Sequence, residues 1–174
     1  MLMLVMTGCG GKFTNTTSSK KEQANAETKP LKKVENNGEY LTGKHHINII
    51  IKDKGTIAVE LDADAAPVTV TNFVNLAKDG FYDGVVFHRI IKDFMMQGGD
   101  PTGTGNGGAE KTILGEFAAN GIENNLSHTR GAISMARATK PNSASSQFFI
   151  VHQDYTDLDG YYACFGYVTS GMEI

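Results

Sequence analysis

Beyond residue 78 the chain never holds one apolar period for long. Short apolar segments at 85–91, 94–97, 113–114, 131–136, 147–151 and 163–168 are separated by glycine-bearing connections. Runs of two to seven residues are too short for a helix of three turns but suit strands. The chain carries 20 Gly against 4 Pro, which agrees with many turns and few helices. Upstream, Ile47, Ile49 and Ile51 recur at alternate positions, Asp53-Lys54-Gly55 turns the chain, and 56–61 form a second apolar run; this predicts a β-hairpin. One helix is expected after it. Pro67 suits a first helical turn, Val70, Phe73, Val74 and Ala77 recur at spacings of three and four, and Asp79-Gly80 supplies the stop. The expectation is a mainly β domain, a closed barrel or a sandwich, rather than a βαβ fold.

The first 44 residues read differently. Residues 1–8 form a small or apolar run far shorter than the roughly 20 residues a membrane-crossing helix needs. The run ends in Val5-Met6-Thr7-Gly8-Cys9, which resembles a bacterial lipobox and implies that Cys9 is lipidated. Residues 10–44 are rich in Ser, Thr, Asn, Lys and Glu, with too little apolar surface to offset the entropy of ordering. They are expected to form a flexible tether, with a reach of roughly 30–35 Å. The division is therefore a signal remnant (1–9), a tether (10–44) and a folded domain (45–174). The expected location is extracytoplasmic, on a bacterial membrane through a lipid anchor. Cys164, the other cysteine, lies in an apolar segment and is expected to be a small buried hydrophobe.

Composition excludes some partners and the motifs exclude some cofactors. With 16 Lys+Arg against 19 Asp+Glu, a net charge of −3 lacks the basic excess that nucleic acid binding requires. Gly103, Gly105 and Gly108 satisfy GxGxxG, but no helical period follows them, so a dinucleotide site is not expected. His45, His46, His88, His128 and His152 have no metal-ligand spacing, so no metal is expected and each reads as a surface or hydrogen-bonded histidine. Ser143, Ser145 and Ser146 lie in no nucleophile elbow. No cofactor is implied.

Two segments combine charge with aromatic residues. FHRIIKDFMMQGGD (87–100) sets one arginine and one glutamine among apolar side chains, and Ser134 to Ala138 followed by PNSASSQFFI (141–150) adds another aromatic strand after a loop. Together with LDGYYACFGYV (158–168), these segments resemble the cyclophilin family of peptidyl-prolyl cis-trans isomerases, in its bacterial form, over residues 46–174. The resemblance implies a closed eight-stranded antiparallel β-barrel with two capping helices and a groove on its outer face. It further implies a C-terminal helix and a last strand beyond the segment ending at Ile174, so the domain at 45–174 is expected to be C-terminally truncated.

By the same resemblance, Arg89 is the catalytic donor. Phe94, Met95, Phe149 and Leu158 line a proline pocket, and Gln97 hydrogen-bonds the peptide backbone. Ala136 and Arg137 offer main-chain groups to an extended substrate, while Ala138 and Gln147 border the neighbouring pocket. The expected partners are proline-containing segments of exported proteins, bound by a monomer. Two positions depart from the family: Asp157 stands near where many members carry an indole, and Tyr162 where a histidine is usual. The first argues against strong cyclosporin binding but not against isomerisation, and the Tyr162 hydroxyl keeps a hydrogen-bond donor. A groove-keeping binding module with slow turnover is the competing reading; Arg89, Phe94 and Gln97 argue against it, and the expected truncation argues for it.

Overall fold

The computed structural model describes residues 30–174. Cys9 and the first part of the tether lie outside the described residues. Among the described residues there are seven strands: β1 (Lys44–Ile51), β2 (Gly55–Asp62), β3 (Arg89–Ile91), β4 (Met95–Gly98), β5 (Ala132–Met135), β6 (Phe148–Val151) and β7 (Cys164–Ser170). They form one sheet in the order β1-β2-β7-β5-β6-β4-β3, and every neighbouring pair is antiparallel. β1 and β3 are its end strands and are not hydrogen-bonded to each other. Among the described residues there is one α-helix, α1 (Pro67–Lys78), and two short 3-10 turns, Ala118–Asn120 and Thr156–Leu158. The second capping helix that the resemblance implies is not among them.

The hairpin has the expected alternation. Ile47 faces Val59 and Ile49 faces Ile57, and the turn places Asp53 at φ 59°, which a short polar side chain tolerates. The β3–β4 turn repeats the device with Asp93 at φ 60°, closed by Phe94 N–H donating to the Ile91 carbonyl at 3.2 Å. In α1, Val70, Phe73 and Val74 are buried, while Ala77, part of the same apolar spacing, is exposed. The start of α1 is capped from afar. The Glu116 carboxylate accepts from Val68 N–H at 3.0 Å and Thr69 N–H at 2.8 Å, giving two of the helix's free donors a charged partner.

Three segments differ from expectation. The 85–91 strand is shortened to Arg89–Ile91, because Phe87 packs edge-on against Phe148 at 5.8 Å instead of continuing the ladder. Ile113 and Leu114 form no strand; Ile113 N–H donates to the Ala144 carbonyl, and Gly115 N–H donates to Asn142 Oδ1 at 3.0 Å. The described part of the expected tether is docked on the domain. Lys32 N–H donates to the Gly121 carbonyl and the Lys32 carbonyl accepts from Glu123 N–H, while Leu41 N–H reaches Thr71 Oγ1 at 2.8 Å. Leu41 also packs on the core, which supplies the apolar contact that the polar composition concealed.

Alternation along the central strands divides apolar side chains between two faces. Phe148, Ile150, Ile133, Met135 and Phe165 join β2 and α1 in the main core. Phe149, Val151, Met95, Ala132 and Cys164 form a second cluster, covered by Phe94, Leu126, Ala136, Leu158, Tyr162 and Tyr167. A strand with apolar residues at both parities must be covered on both sides. Cys164 is the expected buried thiol, and burial pushes its pKa up to about 12.

Candidate active site

The cleft grows from the second cluster, and strand register assembles it. Arg89 pairs with Gln97 across β3–β4, Gln97 with Phe149 across β4–β6, and Phe149 with Ser134 across β6–β5. Directly opposed residues share a face, so these four form one row across four strands. Ile91, Met95 and Val151 form the next row on the same face. Residues from the connections complete the walls, and a cleft of about 160 Å³ is lined by Arg89, Phe94, Met95, Gln97, Ala136, Arg137, Phe149, Leu158 and Tyr162. Nine of the expected site residues therefore meet at one place.

Within the cleft, polarity is ordered by a chain of donors. Arg89 Nη1 donates to Gln97 Oε1 at 3.2 Å, and Gln97 Nε2 donates to Gln147 Oε1 at 2.8 Å. Gln147 Nε2 then donates to the Gly105 and Gly107 carbonyls at 3.0 and 2.7 Å. The chain fixes both amides and leaves Arg89 with further N–H groups to offer. Gln147 and Ala138 do not line the cleft. Gln147 ties it to the 100–108 loop, and Ala138 is exposed, its N–H donating to Ser143 Oγ.

That loop is wound around Asp100. This fully buried carboxylate accepts from the backbone N–H groups of Thr102, Thr104, Gly105 and Gly107 and from the Thr102 hydroxyl. Burial opposes its ionisation, but those donors together hold the carboxyl well below the usual range. Gly105 and Gly107 serve this carboxylate rather than a phosphate, and Gly103 N–H donates to the Asp100 main-chain carbonyl at 3.0 Å. Gly107 has no room for a side chain, since a Cβ there would lie 2.1 Å from Asp100 Oδ1.

Two parts of the site had no signal in the sequence. The Arg137 guanidinium lies 4.9 Å from both the Phe117 and the Tyr162 ring centroids, and its Nε donates to the Tyr161 carbonyl at 3.0 Å. Behind Phe149 sits a buried polar row in which His128 stacks on the Phe149 ring at 6.0 Å. His128 Nδ1 lies 2.7 Å from Asp159 Oδ1 and Nε2 lies 2.9 Å from Ser134 Oγ. A carboxylate only accepts, so the neutral ring carries its proton on Nδ1, and Nε2 accepts a hydrogen bond from the Ser134 hydroxyl. The order Asp–His–Ser resembles a hydrolytic triad, but Ser134 and His128 are wholly buried and no substrate reaches them. Burial lowers the His128 pKa, against the opposing pull of Asp159.

The other histidines are structural or superficial, with one exception. His45 contacts the Thr42 carbonyl, His46 approaches Glu60 and His152 approaches Asp93. Both His88 ring nitrogens are buried without a partner, contrary to expectation. Asp157 is exposed beside Leu158. A larger cavity of about 300 Å³, lined in part by Lys33, Asp62, Asp64 and Glu123, lies where residues 32–34 dock. Its carboxylates are already engaged: Asp62 holds Lys44 at 2.7 Å, Asp64 accepts from Gly43 N–H, and Glu123 faces Lys33.

Residues 46–174 match the sequence family described as Cyclophilin type peptidyl-prolyl cis-trans isomerase/CLD. The chain is 50% identical over 121 residues to peptidyl-prolyl cis-trans isomerase ppi1 of Schizosaccharomyces pombe, covering 69% of this chain and 76% of that one. It is 48% identical over 124 residues to peptidyl-prolyl cis-trans isomerase B of Bacillus subtilis, covering 71% and 83%. Among solved structures, it resembles a cyclophilin type peptidyl-prolyl cis-trans isomerase from Cryptosporidium parvum crystallised in the presence of the dipeptide Ala-Pro. There the TM-score is 0.67 at 37% identity, over 74% of this chain and 81% of that chain. The chain belongs to the cyclophilin-type peptidyl-prolyl cis-trans isomerases.

Proposed function

We propose that Arg89 is the catalytic donor of this isomerase and that the outer-face cleft binds the prolyl ring of an extended peptide. Rotating an Xaa-Pro bond breaks amide resonance against a barrier of about 18–20 kcal/mol. The nitrogen of the twisted amide regains a lone pair, so a donor aimed at it stabilises the transition state more than the planar ground state. A guanidinium suits this role because it stays protonated at any physiological pH. Phe94, Met95, Phe149 and Leu158 give the ring an apolar seat, while Gln97 holds the peptide backbone. The apolar walls also lower the local dielectric and strengthen the Arg89 hydrogen bond.

The observation that carries this reading is the cross-strand row that sets Arg89 beside Gln97 and Phe149. The test is the cis-trans exchange of an Ala-Pro peptide measured by NMR at equilibrium. Arg89 is exposed, so Arg89→Ala should fold normally and lose roughly 100- to 1000-fold in kcat/KM, the scale for removing one transition-state donor. Equal rates for the two proteins would falsify the assignment.

Three further readings belong to the same proposal. The seven-stranded sheet is taken as part of a closed eight-stranded barrel with two capping helices, supported by its antiparallel order and two-sided core. The enzyme acts as a monomer on exported proteins, and the lipobox-like segment anchors it outside the cytoplasm. Cys9→Ser should release the full-length protein from the membrane fraction, and unchanged fractionation refutes the anchor.

A further inference from the structure

The Arg137 side chain does more than the main-chain role that resemblance assigns to its position. Its guanidinium is gripped between two rings, and three of its five N–H groups are spent on carbonyls. Nε donates to Tyr161, while Nη1 donates to Ala138 at 3.0 Å and Thr139 at 3.3 Å. Nη2 has no partner among the described residues. Carbonyl oxygens and ring faces orient a cation without cancelling its charge.

Arg137 and Arg89 both line the cleft, and the lining includes no acidic residue. Among the described residues, neither guanidinium has a carboxylate within 4.0 Å. The six ion pairs among the described residues involve Lys33, Lys44, His46, His128 and His152. Asp157, the acidic residue beside Leu158, is exposed and pairs with neither. A chain with a net charge of −3 therefore keeps two uncompensated cations at the rim of its peptide cleft. An Arg side chain held in one geometry loses little entropy when it meets a carboxylate, so the interaction is worth more than an ordinary surface pair.

We propose that Arg137 is a specificity-determining residue that favours substrates with an Asp or Glu side chain within two residues of the isomerised proline. This rests on the isomerase site described above. The carboxylate accepts from the free Nη2 of Arg137, while Arg89 remains on the prolyl amide.

The experiment uses Ala-Ala-Pro-Ala peptides with Glu, or its neutral isostere Gln, placed two residues before, directly before or directly after proline. Exchange is measured by NMR with the full chain. The expected result is a Glu-to-Gln ratio of kcat/KM of about 5 to 10 at one of these positions. That ratio should fall to near 1 in Arg137→Gln, and in the unaltered enzyme at about 0.5 M salt, where exposed charge pairs are screened. The salt arm keeps the test decisive if the variant folds poorly. Equal turnover of Glu and Gln peptides at all three positions overturns the proposal, as does a ratio that survives Arg137→Gln or salt. Loss of acceleration on every peptide, neutral ones included, overturns the isomerase reading instead.

Discussion

Phe148 and Phe149 are neighbours on one strand, each 5% exposed, and they live in different parts of the molecule. Phe148 faces the main core, where its ring meets Phe73, Tyr82 and Phe87 and joins α1 and the 81–87 connection to the sheet. Phe149 faces outward, with His128 stacked behind it and Tyr162 edge-on at 5.8 Å. The inner face is closed by a helix and by strands. The outer face is closed only in part, by loop residues, and the opening that remains is the cleft. A sheet that buries one face for stability and half-buries the other has a rigid floor on which to build a site.

The largest effects should separate these two phenylalanines. Phe148→Ala should destabilise the protein by about 3–5 kcal/mol, because three ring contacts and a core volume are lost together. Well below its melting temperature, the remaining folded protein should keep most of its kcat/KM. Phe149→Ala should lie at or below the low end of that stability range, yet lose about 100-fold or more in kcat/KM. Denaturant unfolding and NMR exchange on the same samples decide it; the comparison breaks if the two variants show the same ratio of activity loss to stability loss.

A middle-sized effect should come from the buried row behind Phe149. His128→Leu strands the Ser134 hydroxyl in the interior, which should destabilise by about 1–3 kcal/mol. The pH dependence sharpens the point. Because burial lowers the His128 pKa, the unfolded chain binds its proton first, so stability is full above about pH 6.5 and declines as pH falls below it. Asp159, whose carboxyl is held low against burial by Ser127 and His128, adds a further loss below about pH 4. Melting temperatures between pH 7 and 5 should fall more steeply for the unaltered protein than for His128→Leu. Parallel curves would remove His128 from this account.

The smallest effect should come from the end strands. Ile50 on β1 is 79% exposed and Ile90 on β3 is 71% exposed. Replacing either with Thr should change stability by no more than about 0.5 kcal/mol. For Ile90→Thr, kcat/KM should also be unchanged, because Ile90 lies on the opposite face of β3 from Arg89. A loss of activity there would mean that β3 reports on substrate through its backbone.

Much of this was legible from residue order. The alternating isoleucines of β1, the Pro67 start of α1 and the short apolar segments of β4, β6 and β7 are local periods, and local periods can be counted along a chain. The motifs carrying Arg89, Gln97 and Phe149 were also visible, together with the family they resemble. Residues 32–43 were misread because a few backbone hydrogen bonds and one leucine, not an apolar period, dock them. The 113–114 segment was misread because its backbone is satisfied by a distant loop rather than by a ladder.

The sequence alone determined which residue types are available to the cleft and the alternation that sends adjacent ones to opposite faces. Tertiary structure decided which of them meet. Gln97 reaches Gln147 across 50 positions, Glu116 caps α1 from 47 and 48 positions away, and Asp159 finds His128 across 31. Such contacts depend on strand register and loop closure, and these are settled by burying both faces of the sheet at once. The same reason placed the Arg137 guanidinium between Phe117 and Tyr162, where the local sequence showed only one more exposed charge.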